Sequence, residues 1–182
     1  MTDWLQPASA HFDHAVRAFS SELYQYAYWL CRDRHRAEDI LQEAFARAWK
    51  QWHQINEESS RRSWLYIIVR HEFLRELDRA GSRNEVSEDE EAVEIPSTVD
   101  FTLGVEVRNL LEQLPTKFLE PLLLQTLVGM SCEEIAAVMG ISTGAVMTRL
   151  TRARLALHAL MNDNHLSTNK PTLRLVQSGG SK

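Results

Sequence analysis

The chain has 182 residues, 44% apolar and 25% charged, with a formal net charge of −5, a mixture expected of a globular protein with one ordinary domain or two small ones. Seven glycines and five prolines are too few for the many tight turns of an all-β chain. No apolar run approaches the roughly 20 residues that span a bilayer, and the first ten residues lack the basic and apolar segments of a secretory signal. Direct membrane insertion is therefore not expected. Cys31 and Cys132 stand far apart, in no metal-ligand spacing, which excludes a disulfide scaffold and fits a reducing, cytoplasmic setting.

The first expected helix runs from about His11 to Cys31, with Phe12, Val16, Phe19, Leu23, Tyr26 and Leu30 at spacings of three and four. The second runs from about Arg34 to Trp52, opened by Asp33 as a cap. Its apolar rows are Ile40, Ala44, Ala48, Trp52 and Leu41, Phe45, Trp49. Its polar face clusters Glu38, Asp39, Gln42 and Glu43. Negative charge there suits the helix dipole, and it equally suits a basic partner surface. A polar loop, His53 to Arg62, is expected next, then a third helix from about Ser63 to Arg79 with Leu65, Val69, Phe73 and Leu77 on one face. Arg61 and Arg62 beside Trp64 and Tyr66 offer cations and flat rings to single-stranded nucleic acid, while Trp64 is equally suited to the core. Three such stripes close on one another as a helical bundle.

Charge then shifts abruptly. Residues 1–80 carry a net −1, 81–107 a net −7 and 108–182 a net +3. The acidic stretch has too few large apolar residues to offset its ordering entropy. The expected organisation is an N-terminal module over 10–80, a flexible acidic linker over 81–104, a C-terminal module over 105–161 and a polar tail over 162–182.

In the C-terminal piece, Val105, Leu110, Leu111 and Leu114 indicate a helix ended by Pro115, and a second spans about Thr116 to Val128, with Pro121 tolerable in its first turn or so. Ser131-Cys132-Glu133-Glu134 reads as a capping box. A short helix follows, Gly140 ends it, and Ser142 caps another helix running from Thr143 to about Met161. Ile135, Met139, Ile141, Val146 and Leu150 form the shared core of this helix-turn-helix. Thr143, Thr148, Arg149, Thr151, Arg152 and Arg154 bring hydroxyls and guanidinium groups to its outer faces, suited to base edges and phosphates. The fold class is all-α, two small helical domains.

Two blocks resemble the bacterial RNA polymerase sigma factors of the extracytoplasmic-function (ECF) group. Ala37-Glu38-Asp39-Ile40-Leu41-Gln42-Glu43-Ala44-Phe45 with Ala48-Trp49 resembles the family's core-binding helix, and Glu58-Ser59-Ser60 before Trp64-Leu65-Tyr66 resembles the start of its promoter-melting helix. Leu114-Pro115, Gly129-Met130-Ser131, Glu133-Glu134-Ile135-Ala136, Gly140-Ile141-Ser142, Gly144-Ala145-Val146 and Arg149-Leu150 with Arg152-Ala153-Arg154 carry the second block.

The resemblance implies a non-enzymatic initiation subunit that directs core RNA polymerase to promoters, without cofactor or metal. It implies that Glu38, Asp39, Gln42 and Glu43 meet the polymerase clamp helices, with the flap as a further contact. Asn56, Ser59, Ser60, Arg61, Arg62, Trp64 and His71 would hold the minus-ten DNA. Ser142, Thr143, Met147, Thr148, Arg149, Thr151, Arg152 and Arg154 would read the minus-thirty-five element, and an anti-sigma factor would hold the protein inactive. Met147 departs from the family's usual Lys or Arg, and Ile67 and His71 from its usual Arg and Asn. The rival readings are a stand-alone helix-turn-helix regulator and a sigma-like decoy that binds a regulator and never DNA. An enzyme reading is weak: His71-Glu72 begins like a zinc-protease helix, but Arg75 stands where the second His is needed.

Overall fold

A computed structural model describes residues 8–54, 58–82 and 104–168. Seven α-helices and one short 3-10 turn account for nearly all of them, with no strand among the described residues. In order they are α1 (Ala8–Cys31), α2 (Arg34–Gln51), a 3-10 turn (Trp52–Gln54), α3 (Glu58–Ser82), α4 (Val105–Glu112), α5 (Thr116–Thr126), α6 (Cys132–Met139) and α7 (Thr143–Thr168). The all-α expectation holds. The proposed linker, 81–104, lies almost wholly outside the described residues.

The N-terminal half is α1, α2 and α3 packed on one another. Asp33 caps α2 as expected, accepting from the Arg36 N–H at 2.9 Å. Ile40, Ala44 and Ala48 bury one row of α2 in a core shared with Leu23, Tyr26, Leu65, Val69 and Phe73, and Trp52, in the turn after the helix, is buried as well. Two expectations change. The polar loop is shorter than His53–Arg62, because α3 already begins at Glu58. A carboxylate in a helix's first turn is favourable, and a polar opening turn carries no apolar period by which to see it. Leu77, expected on the buried face of α3, is exposed beyond the Arg36–Glu76 pair that closes this end of the bundle at 2.7 Å.

The C-terminal half packs α5, α6 and α7 together, with α4 against α7. The capping box of α6 is complete: the Glu134 N–H donates to Ser131 Oγ at 3.2 Å, and the Ser131 N–H donates to Glu134 Oε2 at 2.8 Å. Gly140 ends the helix in the left-handed region, φ +65°. Pro121 lies deeper in α5 than expected, past its first turn and fully buried. The N–H that proline lacks leaves the Lys117 carbonyl without its ladder donor, and Lys117 is exposed, so water can donate instead. α7 continues past Met161 to Thr168, into the expected tail.

The halves meet where α1 packs on α5 and α3 on α6. The buried Glu120 carboxylate of α5 accepts from Tyr26 Oη at 2.9 Å and from Arg70 Nε at 2.6 Å. Arg32, just past α1, holds a left-handed backbone, φ +55°, a conformation that costs a non-glycine residue about 1–2 kcal/mol. Its guanidinium donates to the Glu112 carbonyl and, at 3.0 Å, to that of Leu114. Those two carbonyls stand at the end of α4, where the helix has no donors of its own to offer.

Candidate functional site

The acidic face of α2 is fully presented. Glu38, Asp39, Gln42 and Glu43 are all exposed, opposite the buried row Ala37, Ile40, Ala44 and Ala48. The helix starts at Arg34, so its first turn carries Arg34, His35 and Arg36 and no acid. Dipole complementarity falls off within that first turn and does not account for carboxylates in the second and third.

At the corner of α1, α2 and α3 an aromatic cluster gathers Phe12, Phe45, Trp49, Trp52 and Trp64. Phe12 lies 5.1 Å from both Trp49 and Trp52, and Trp52 lies 6.3 Å from Trp64. Trp64 is half-buried against the core, so one side faces the bundle. Arg61 and Arg62 sit on the helix and not in a loop. The Arg61 guanidinium lies 4.9 Å from the Trp52 ring centre. Arg62 donates to Glu22 Oε2 at 2.7 Å, and that hydrogen bond, aided by the nearby charges of Glu22 and Glu134, keeps it firmly protonated. His71 is exposed on α3, apart from the aromatic corner. Ser59 and Ser60 fall on the first turn of α3 with side chains outside the described residues, and Asn56 is outside them entirely.

The helix-turn-helix forms as expected. Ile135, Met139, Val146 and Leu150 are buried together, and Ile141 packs against them. Ser142 caps α7, accepting from the Ala145 N–H at 3.2 Å. Met147, Thr148, Thr151, Arg152 and Arg154 are exposed on one helix, with Thr143 and Arg149 half-buried beside them. Arg154 donates to Gln125 Oε1 of α5 at 2.6 Å, so it braces the motif as well as facing outward.

Several organising residues carried little sequence signal: Arg32, Glu22, Glu72 and the Tyr26–Glu120–Arg70 cluster. The one available clue was Glu120 itself, a single carboxylate inside the apolar run from Phe118 to Leu124. The cysteines remain free. Burial pushes the Cys31 thiol up to about 11, the reverse of what a reactive thiolate needs.

Comparison with known proteins follows this division of the chain. Residues 15–83 match the family Sigma-70 region 2, and residues 104–157 match Sigma-70, region 4. The ECF RNA polymerase sigma factor SigE of Mycolicibacterium smegmatis is 30% identical over 84% of this chain, which spans 62% of that relative's length. SigC of Mycobacterium tuberculosis is 30% identical, covering 79% of this chain and 80% of its own. Among solved structures, the sigma factor RpoE of Bartonella quintana, in complex with the anti-sigma factor NepR, matches with a TM-score of 0.73 and 25% identity over 84% of this chain and 97% of that one. CnrH in complex with the cytosolic domain of CnrY matches with a TM-score of 0.61 and 27% identity, over 86% and 90%. With both sigma regions present in order, and relatives matched along most of their own length, the chain belongs to the ECF RNA polymerase sigma factors.

Proposed function

We propose that this chain is a transcription initiation subunit that binds core RNA polymerase, takes it to specific promoters and melts the minus-ten region. The observation that carries the reading is the pairing, in one chain, of an exposed acidic α2 face that the helix dipole does not explain with a helix-turn-helix bearing exposed hydroxyls and guanidinium groups. On this reading Glu38, Asp39, Gln42 and Glu43 contact the polymerase clamp helices, and the flap engages the C-terminal module. Arg61, Arg62, Trp64 and His71, with Asn56, Ser59 and Ser60, serve the minus-ten DNA. The face of α7 from Ser142 to Arg154 reads the minus-thirty-five element in the major groove. The acid-rich stretch 81–104 joins two separable modules, so the polymerase can hold both at a fixed span and raise their effective concentration on the promoter.

Strand opening costs a few kcal/mol per unstacked step, offset by holding a flipped base, and no bond is made or broken by this chain. It acts in the cytoplasm, where its polymerase is; among the described residues no helix is long and apolar enough to cross a membrane. One of its structural neighbours, the sigma factor RpoE, was solved with the anti-sigma factor NepR bound, which supports control by an inhibitor of that kind. Run-off transcription with purified core polymerase tests the reading. The parent chain gives promoter-specific transcripts. Asp39→Arg combined with Glu43→Arg loses polymerase binding while its helical circular-dichroism signal is kept, and unchanged affinity refutes the assigned face. A stand-alone regulator would bind duplex DNA without polymerase, and a decoy would bind none in either condition.

A further inference from the structure

The strip of α7 that faces outward between its arginines is poor in hydrogen-bond donors. Val146, Leu150 and Ala153 fix the buried side of the helix. At 3.6 residues per turn, Gly144, Thr148, Thr151 and Leu155 fall on the opposite side, with Met147 next to them. Gly144 contributes no side chain. Met147 is 54% exposed and Leu155 67% exposed. Both threonine hydroxyls turn back onto their own helix, Thr148 donating to the Gly144 carbonyl and Thr151 to the Met147 carbonyl, each at 2.9 Å. A hydroxyl has one proton to donate, so each keeps only acceptor lone pairs and a methyl group for a partner.

The guanidinium groups lie to the sides of this row. Arg149 and Arg152 flank one edge, and Arg154, on the other, is held by Gln125. Cations at the edges suit the phosphates that border a groove. The centre offers methyls, a thioether and acceptors. The N7 and O6 atoms of purines accept hydrogen bonds and gain nothing from such a surface. In the major groove the one apolar feature of any base pair is the C5 methyl of thymine. Met147 lies toward the N-terminal end of the helix, the end whose residues reach base edges in a helix-turn-helix.

We propose that the Met147–Thr148–Thr151 row selects promoters by packing against thymine methyl groups in the minus-thirty-five element, with Met147 as the main contact. The proposal rests on the sigma-factor reading above and adds the chemistry by which the motif discriminates. It assigns the discrimination to shape and apolar contact in place of the donor pairs that guanine requires.

The test uses the full chain with core polymerase. A duplex is first selected from a randomised library by this holoenzyme, then remade with deoxyuridine at each thymidine of the upstream element. That exchange removes the C5 methyl and leaves every hydrogen-bonding atom in place. Affinity is expected to fall about fourfold at one or two positions, the worth of one methyl-sized group, at constant salt. Met147→Ala removes the sensitivity to deoxyuridine, and Met147→Leu, which keeps an apolar contact, retains it. Because Met147 is exposed, neither variant disturbs folding, as circular dichroism will register. A parent indifferent to every replacement, a Met147→Ala variant as sensitive as the parent, or a selected element without thymine on either strand overturns the proposal and leaves the sigma reading standing. Failure to select any duplex in the presence of polymerase overturns the sigma reading itself.

Discussion

Glu72 of α3 and Glu120 of α5 are the buried charged side chains among the described residues, each 5% exposed, yet their surroundings differ. Glu72 lies inside the N-terminal half and takes Arg47 from α2 and Arg75 from its own helix, the latter at 3.4 Å. Both arginines keep more than a third of their side chains in water. Glu120 lies between the halves; its donor Tyr26 is buried, and its donor Arg70 is more buried than either arginine at Glu72. The first carboxylate fastens α2 to α3, with its cations still partly hydrated. The second makes the contact between the two halves depend on a largely buried polar cluster, in which Arg70 keeps only 17% of its side chain exposed. A buried charge adds little net stability while paired and costs much when its partner is removed, so the second site is the more exacting of the two.

The largest expected effect is therefore at Glu120. Glu120→Ala leaves the largely buried Arg70 guanidinium and the buried Tyr26 hydroxyl without their acceptor, a loss of about 3–5 kcal/mol against the closed arrangement. If the modules are separable, the protein relieves this by opening, and solution scattering will show a larger radius with helical content unchanged. Unchanged scattering with a lowered melting temperature would instead make Glu120 an ordinary core group. Cleavage between residues 84 and 100 sharpens the same point, because two fragments that each stay folded are expected, and loss of helix on cleavage contradicts it.

Glu72→Ala should cost less, about 1–3 kcal/mol, because Arg47 and Arg75 reach solvent once released. The loss appears as a lower urea midpoint for the N-terminal half, with scattering unchanged. An increase in radius for this variant, equal to that of Glu120→Ala, would erase the distinction between the two sites.

The helices and the helix-turn-helix were legible because each signal is local. Asp33, Ser131 with Glu134, Gly140 and Ser142 cap or end helices through residues no more than four positions away, and apolar rows repeat every three or four residues. The start of α3 was not legible, because its opening turns, Glu58 to Arg62, are polar on every side. Glu120 escaped notice because its donors, Tyr26 and Arg70, lie 94 and 50 residues away, and nothing in a local window announces a long-range partner. For the same reason Arg62 read as available to DNA, whereas in the folded chain Glu22 of α1 already holds it.

The smallest effect is at Tyr26, and it distinguishes the two carboxylates by pH. Burial, reinforced by the Glu120 charge, holds the Tyr26 phenol protonated well above its ordinary value of 10. In the unfolded chain the same phenol ionises near 10, so the stability tied to its protonated form is complete below that pH and is lost as pH rises beyond it. Tyr66 and Cys31 are raised as well, mainly by burial, so the parent weakens steadily from about pH 9 upward. Tyr26→Phe removes one of these groups. At neutral pH it should cost about 1 kcal/mol for one hydrogen bond to a carboxylate that keeps Arg70. Each further unit of pH above 10 costs the parent up to about 1.4 kcal/mol at this one phenol, a loss the variant escapes, so their urea-unfolding stabilities should converge near pH 11. Parallel curves would mean that Tyr26 ionises as freely folded as unfolded, and the enclosed cluster around Glu120 would then be as open to water as the arginines around Glu72.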